Sequence, residues 1–154
     1  MLLLMFRLGE DRYVLDVEQV EEVLPYLQPT VLPGAPHGVV GAINYRGAPV
    51  PLLDLSLLAL GRPSAAVIST RVILVRYPIE GGETRQLGLV AERVIETISR
   101  DPGDFRPSGV EAGLPRYLGP VAPDPEGLIQ LVRAEALLPP ELREILFRQL
   151  AEAG

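Results

Sequence analysis

The hydrophobic residues of this chain fall into short runs that are separated by glycine, proline and charged residues. Runs of this kind, bounded by turn residues, predict β-strands. The first two runs, 2–8 and 12–16, flank Gly9-Glu10-Asp11 and predict a hairpin. The other predicted strands are 39–43, 50–55, 71–77, 86–91, 94–99, 117–122 and 127–132. Many short strands with frequent turns favour a small barrel, or a pair of barrels, over an alternating βα fold.

The segment 17–24 has a different period. Its apolar residues Val17, Val20 and Leu24 fall on one helical face, while most of its acidic residues lie elsewhere. This spacing predicts a helix that ends before Pro25 and packs its apolar stripe into the core.

The end of the chain predicts an amphipathic helix over 140–152. Pro140 suits the first helical position, and Glu141 suits the positive end of the helix dipole. Packing of this helix against a barrel is favoured over binding to a partner. Phe147, beside the apolar stripe, keeps the second interpretation open. A shorter helix is predicted over 56–60, before a glycine that ends it.

Two segments show neither a strand nor a helix pattern. The segment 63–70 is interpreted as a connector within one domain that spans 1–154 and contains two interleaved lobes. The segment 99–116 is rich in glycine, proline and aspartate. A loop of this length in a small domain is typically functional or mobile.

The segment 32–61 is the most informative part of the chain. It predicts two buried strands joined at Asn44-Tyr45-Arg46-Gly47, with one charged side chain at the connection. Gly47 suits a backbone that needs positive φ, and Arg46 is expected to project into solvent, because an unpaired guanidinium is rarely buried. The alternative is an internal salt bridge from Arg46 to Asp54 or Glu22, and the two roles are compatible.

The composition is that of a globular domain. Hydrophobic residues make up 47% of the 154 residues, which is enough for a chain of this length to form a core without disulfides. The chain contains no cysteine. The net charge of −6 argues against binding to nucleic acid or to an anionic bilayer. The apolar start is too short for a signal peptide, and no run is long enough to span a membrane. We therefore expect a cytoplasmic protein without direct membrane insertion.

The sequence contains no familiar catalytic constellation. His37 is the only histidine, and it lies between a proline and a glycine, where a turn residue is expected rather than a metal ligand. No nucleophile elbow and no phosphate-binding glycine motif occurs. Asp54 is interpreted as an acceptor for backbone amides or an arginine rather than as an acid–base group. We therefore expect no enzymatic activity, no metal and no cofactor.

These segments together resemble the CheW-like adaptor family of bacterial chemotaxis signalling. The family pattern contains Leu-Pro, a second proline, Gly-x-x-Asn-x-Arg-Gly, Pro-x-x-Asp-Leu and a closing glycine. The matching positions here are Leu32-Pro33, Pro36, Gly41, Asn44, Arg46-Gly47, Pro51, Asp54-Leu55 and Gly61. Weaker matches extend the resemblance from about residue 5 to residue 138. Such an ordered set is more specific than any single glycine.

The resemblance implies a mostly β fold of two small SH3-like five-stranded barrels packed together, with short helices and a C-terminal helix. It implies an adaptor without catalytic activity that bridges chemoreceptors to the histidine kinase CheA. In the family, the groove between the barrels receives the cytoplasmic tip of the receptor, so the protein is expected to be recruited to membrane receptor arrays. The regulatory domain of the kinase, which shares this fold, is the second expected partner.

Carried over position by position, the resemblance assigns six residues to the receptor groove. They are Val20, Glu22, Gly41, Asn44, Arg46 and Gly47. The chain departs from the family pattern at Ala91, Glu92, Pro120 and Arg133, all in its second half. Those departures bear on the surface that faces the kinase.

Two other interpretations fit the sequence. The first keeps the fold and places the protein in a pilus-motility or biofilm signalling pathway. The second is a small-molecule-binding barrel or an enzyme that uses Asp54. An enclosed pocket with Asp54 exposed at its base would favour the second interpretation, whereas a shallow groove between two barrels would not.

Overall fold

Nine strands and two α-helices make up the part of the chain that the structure, a computed structural model, describes: residues 1–109 and 113–153. The strands are β1 (Leu2–Leu8), β2 (Asp11–Asp16), β3 (Val20–Pro25), β4 (Val39–Tyr45), β5 (Ala48–Asp54), β6 (Arg71–Pro78), β7 (Thr84–Ser99), β8 (Leu118–Asp124) and β9 (Gly127–Val132). The helices are α1 (Leu55–Leu60) and α2 (Pro140–Ala153).

The long strand β7 is shared by two five-stranded barrels. Its first half pairs with β6 and β5 in the hairpin barrel, whose strand order is β3-β6-β7-β5-β4. Its second half pairs with β1 in the terminal barrel, whose order is β7-β1-β2-β9-β8. Most pairs are antiparallel, but β5–β7 and β2–β9 are parallel. The predicted pair of five-stranded SH3-like barrels is confirmed.

Three hydrophobic clusters hold this arrangement together. One fills the hairpin barrel, around Leu52, Leu74 and Val90, and another fills the terminal barrel, around Leu3 and Ile129. The third and largest lies between the barrels, where the outer faces of β1, β5, β6 and β7 meet, and it also takes in side chains of α2. Because the barrels share a strand and this cluster, they form one packed unit.

The predicted helix over 17–24 is wrong. Only Val17–Gln19 forms a single 3₁₀ turn, which the carboxylate of Asp16 caps by accepting a hydrogen bond from the Glu18 amide at 3.0 Å. The chain then enters β3, which pairs with β6. Pairing with a neighbouring strand satisfies the backbone of this valine-rich segment and overrides its helical spacing.

The two strands predicted over 86–91 and 94–99 are halves of β7. Between the two halves, β7 changes its pairing partners from β6 and β5 to β1, and Arg93 adopts a φ of 53° at this point. The loop over 99–116, which shows no strand or helix pattern in the sequence, contains a 3₁₀ turn at Pro102–Asp104 and a bridge between Arg106 and Val121. Residues 110–112 of that loop lie outside the described residues. The short helix α1 and its C-terminal Gly61, with a φ of 75°, match the sequence prediction.

Candidate partner-binding groove

The turn between β4 and β5 has an unusual backbone. Arg46 and Gly47 both have positive φ, 51° and 85°, as in the type I′ turns that suit twisted hairpins. Asn44 stabilises the turn, because its Oδ1 accepts a hydrogen bond from the Gly47 amide at 2.8 Å. Glycine adopts this conformation freely, but an arginine does so at a cost in free energy. The fold therefore holds Arg46 in a strained position at the tip of the hairpin.

The side chain of Arg46 points into solvent, as predicted. It is 77% exposed, and its guanidinium lies 5.1 Å from the centroid of the Tyr45 ring. Its Nη2 lies 3.8 Å from Oε2 of Glu22, so the predicted pairing with Glu22 also occurs. Exposed pairs of this kind contribute only about 0–1 kcal/mol. The guanidinium is therefore oriented, but it is free to exchange Glu22 for another acceptor.

Tyr45 completes this group of side chains. Its hydroxyl donates a hydrogen bond to Glu22 on β3, and this bond raises the pKa of the Tyr45 hydroxyl above its ordinary value. We call Glu22, Asn44, Tyr45, Arg46 and Gly47 the tip cluster. Sequence reasoning missed Tyr45, because nothing in the sequence pairs it with a residue 23 positions away on a segment predicted to be helical.

Two of the predicted groove residues lie apart from the tip cluster. Gly41 is buried in β4 with a φ of 147°, and a Cβ there would overlap the carbonyl oxygen of Thr30. It permits the two hydrogen bonds, of 2.8 and 2.9 Å, between Thr30 and Ala42. Val20 begins β3 and packs against the cluster between the barrels. Both residues support the strands that carry the tip cluster.

A shallow cavity of about 310 Å³ adjoins the tip cluster. Asn44 and Gly47 form one side of it, and most of the remaining wall is apolar, from Ala42, Ile43 and Pro49. Arg46 does not line this cavity, but its neighbour Gly47 does. An open apolar cavity next to a turn that carries an exposed cation suits a protein segment with an apolar face and an acceptor group.

Asp54 has a structural position. It is 4% exposed, and its Oδ1 accepts hydrogen bonds from the amides of Ser56 and Leu57 at the start of α1, at 3.0 and 3.2 Å. It also accepts hydrogen bonds from the Ser64 hydroxyl at 2.7 Å and from the Ser64 amide at 2.9 Å. These four bonds occupy the carboxylate, so Asp54 caps α1 and fastens the connector.

The described residues form no metal site and no membrane-spanning helix. His37 is exposed in a turn. Within residues 1–109 and 113–153, no three histidine or acidic side chains are grouped so that they could hold a metal ion. In the same ranges, no helix has the length and hydrophobicity needed to cross a membrane.

The positions that depart from the family pattern have clear places in the fold. Ala91 is buried in β7, and the Glu92 carboxylate accepts a hydrogen bond of 3.3 Å from the Ala65 amide in the connector. Pro120 lies in β8 where the pairing with β9 shifts register, and the Arg133 amide donates to the Tyr117 carbonyl at 2.7 Å. Glu92 therefore helps to position the connector.

Two five-stranded barrels that share one strand define a domain of two SH3-like barrels. A model of the CheW-like domain family matches residues 2–141, and the chain belongs to this family. The resemblance inferred from the sequence is thereby confirmed. The match ends at residue 141, so residues 142–153 of α2 lie beyond it.

Individual proteins agree with this assignment. The chain is 29% identical to chemotaxis protein CheW of Rhizobium meliloti over 144 residues, which cover 92% of this chain and 90% of that protein. It is 23% identical to chemotaxis protein CheW of Bacillus subtilis over 142 residues, or 90% of this chain and 87% of that protein. Among solved structures, the scaffolding protein TtCheW from Thermoanaerobacter tengcongensis matches with a TM-score of 0.77 and 26% identity, over 90% of this chain and 87% of that one.

Proposed function

We propose that this chain is a signalling adaptor of bacterial chemotaxis, without catalytic activity, that binds a chemoreceptor and the histidine kinase CheA and so couples them. Membership of the CheW-like family and the names of the similar proteins support the pathway. The observation that carries the proposal is the exposed guanidinium of Arg46, oriented on a turn that Asn44 fixes.

The receptor binds beside the tip cluster. The cytoplasmic tip of a chemoreceptor is a helical hairpin, and a helix lying in an apolar groove is a common mode of recognition. The cavity wall of Ala42, Ile43 and Pro49 receives apolar side chains of the receptor helix. Arg46 donates a charge-assisted hydrogen bond to a receptor carboxylate or carbonyl.

The tip cluster lowers the entropic cost of the contact between Arg46 and the receptor. The Tyr45 ring and Glu22 already restrict the guanidinium of Arg46, so little side-chain entropy is lost when the receptor binds. When Arg46 exchanges Glu22 for an acceptor on the receptor, only the weak, exposed ion pair between Arg46 and Glu22 is lost. The internal salt bridge and the receptor contact are thus successive states of the same side chain.

The kinase binds a different surface, the connector patch formed by Val67, Ile68 and Ile95. These side chains are 54%, 93% and 72% exposed. The connector runs alongside β7, because the Val94 amide donates to the Ser69 carbonyl at 3.0 Å, next to both isoleucines. A cluster of exposed apolar side chains often marks a protein interface.

The connector patch is held in place by polar contacts. Ser64 is bound to Asp54, and the Ala65 amide is bound to Glu92. The Thr70 hydroxyl donates to the Ala65 carbonyl at 2.6 Å. A fixed apolar surface binds a partner without first having to be ordered. This rigidity supports the connector patch as a docking surface.

Two separate surfaces on one rigid unit give a physical basis for signalling. Receptor binding recruits the adaptor to the membrane arrays, and the connector patch brings the kinase with it. A change in receptor conformation then alters the position in which the adaptor holds the kinase.

A pull-down with purified receptor cytoplasmic fragment and purified kinase tests this proposal. We expect the wild-type chain to bind both. The Arg46→Glu variant is expected to lose the receptor and keep the kinase, because the reversed charge repels the same acceptor and also faces Glu22. Binding of the wild-type chain to neither partner would refute the proposal.

Two control variants separate binding from folding. Arg46→Asn removes the guanidinium but suits the positive φ of the turn, so it is expected to fold normally and still lose receptor affinity. Arg116→Glu makes the same charge change at another exposed arginine and should retain both partners. Unfolding of Arg46→Glu, observed by circular dichroism, would mean that Arg46 acts mainly within the fold.

A further inference from the structure

The C-terminal half of α2 borders the cavity beside the tip cluster. Leu150 lines this cavity together with Asn44, Gly47 and Pro49. It also lines a second cavity, of about 210 Å³, together with Phe147 and Ala151, and Pro49 lines both cavities. Helix α2 therefore lies against the surface at which we place the receptor.

A small number of contacts hold α2 in this position. Leu146 and Leu150 are buried in the cluster between the barrels, and the Phe147 ring packs on Tyr77 with 6.3 Å between centroids. Nε2 of Gln149 donates to the Pro33 carbonyl at 3.1 Å, and Nη1 of Arg143 donates to the Pro78 carbonyl at the same distance. The Gln149 contact joins the end of the helix to the segment that leads into β4.

The docked helix carries an energetic penalty at both polar contacts. Nε of Arg143 and Oε1 of Gln149 are buried, and neither has a hydrogen-bond partner among the described residues. Each such atom opposes docking, because it has exchanged water for no partner. A helix of 14 residues is also marginal in water once it leaves the surface. These costs offset part of the stabilisation that the burial of Leu146 and Leu150 provides.

We propose that α2 is an intramolecular competitor for the receptor groove, an inference that rests on the proposed function. In the docked state, Leu150 forms part of the apolar wall of the groove beside the hairpin. A receptor helix that places its own apolar side chain there, and an acceptor on Arg46, displaces the last turns of α2. The free adaptor thus has its groove partly covered, and the receptor binds in competition with α2.

The first test compares the full chain with a chain that ends at Phe147. The shortened chain loses Leu150 and Gln149 but keeps Leu146 and the Phe147–Tyr77 contact, so the cluster between the barrels stays largely covered. If α2 is docked in about nine molecules of ten, removal of its end tightens receptor binding about tenfold. Isothermal titration with the receptor fragment measures the change, and kinase affinity is expected to stay constant.

A second test keeps the helix at its full length. The chain contains no cysteine, so a Pro33→Cys, Gln149→Cys double variant can be joined by a short bis-maleimide at those two positions alone. The joined protein is expected to bind receptor more weakly than the same variant left unjoined. This comparison stands even if the shortened chain does not fold.

The outcomes are distinct. Tighter binding by the shortened chain, or weaker binding by the joined protein, supports competition by α2. Equal or weaker binding by a folded shortened chain, together with equal binding before and after joining, overturns the competition and leaves the proposed function standing. If the shortened chain does not fold, the comparison before and after joining decides alone. Absence of receptor binding in all forms overturns the proposed receptor site and the competition with it.

Discussion

The hydroxyl of Tyr45 donates a hydrogen bond to the carboxylate of Glu22, and this bond links the two end strands of the hairpin barrel. Tyr45 ends β4 and Glu22 lies in β3, and these strands lie at opposite ends of the sheet order. The same Glu22 oxygen faces the guanidinium of Arg46. Closure of the barrel and orientation of the proposed receptor contact thus depend on one carboxylate.

Replacement of Tyr45 by phenylalanine is expected to weaken receptor binding while the chain stays folded. Without the hydroxyl, Glu22 is free to turn fully towards Arg46 and compete with the receptor acceptor. The loss in affinity is expected to be less than about tenfold, the scale of a single hydrogen bond, and smaller than that of Arg46→Glu. Titration of the Tyr45→Phe and Arg46→Glu variants with the receptor fragment shows which substitution costs more affinity. A Tyr45→Phe variant that binds as tightly as wild type would show that the bond does not orient Arg46.

The two glycines of the predicted groove are expected to respond very differently to alanine. At Gly41, a Cβ would overlap the Thr30 carbonyl oxygen and the φ is 147°, so Gly41→Ala should cost more than about 2 kcal/mol in the free energy of unfolding. At Gly47, the Cβ meets open space and only the backbone strain of about 1–2 kcal/mol applies. Urea denaturation of both variants measures the difference. Equal losses would contradict the role assigned to Gly41.

The sequence predicted the hairpin more reliably than its surroundings. Asn44 and Gly47 are residues that favour a tight turn, and the apolar runs on either side of them favour strands. The turn and the two strands could therefore be predicted from residues that are close together in the sequence. The strand β3 was not, because its valines also fit a helical period and its conformation is decided by pairing with β6, about 50 residues further along the chain.

The other differences between the sequence prediction and the structure also come from contacts between segments that are distant in the sequence. The roles of Tyr45 and of the partner exchange at Arg93 depend on contacts between distant segments, which no local pattern records. The interpretation of Asp54 as an acceptor for backbone amides or an arginine agrees with the hydrogen bonds that it accepts from the Ser56 and Leu57 amides. The six assigned groove residues stay a prediction.

The stability of the fold is expected to fall above about pH 10 through Tyr77. Burial raises the pKa of the Tyr77 hydroxyl, which donates to the Leu138 carbonyl at 3.1 Å and accepts from the Leu138 amide at 3.0 Å. Above the ordinary pKa of tyrosine, the unfolded chain releases this proton while the folded chain still holds it. The stabilising effect is therefore complete at lower pH and is lost as the pH rises through the folded-state pKa.

The Tyr77→Phe variant isolates this effect. It leaves the Leu138 amide without its acceptor and is expected to cost about 1–3 kcal/mol at neutral pH. Its stability should then decline less steeply than that of wild type above about pH 10. Denaturant unfolding at a series of pH values measures both slopes. Parallel declines would contradict the contribution assigned to Tyr77, since Tyr13 and Tyr117 are present in both proteins.

Ile68 is expected to be central to kinase binding. Its side chain is 93% exposed, so Ile68→Glu should leave the free energy of unfolding within about 0.5 kcal/mol of wild type. A carboxylate at the centre of an apolar contact should weaken kinase binding by more than about 1 kcal/mol, because it loses its water without gaining a partner. Titration with the kinase regulatory domain measures this change, with receptor binding as the control. Unchanged kinase affinity would remove the connector patch from the proposal.

The most direct test of the account is a bridging measurement with purified components. Receptor cytoplasmic fragment is immobilised, and the amount of kinase it retains is measured as a function of the concentration of this chain. We predict that kinase is retained only when the chain is present, and that Arg46→Glu and Ile68→Glu each abolish retention although each still binds one partner. Kinase retention that does not depend on the chain, or that survives both substitutions, would contradict the account.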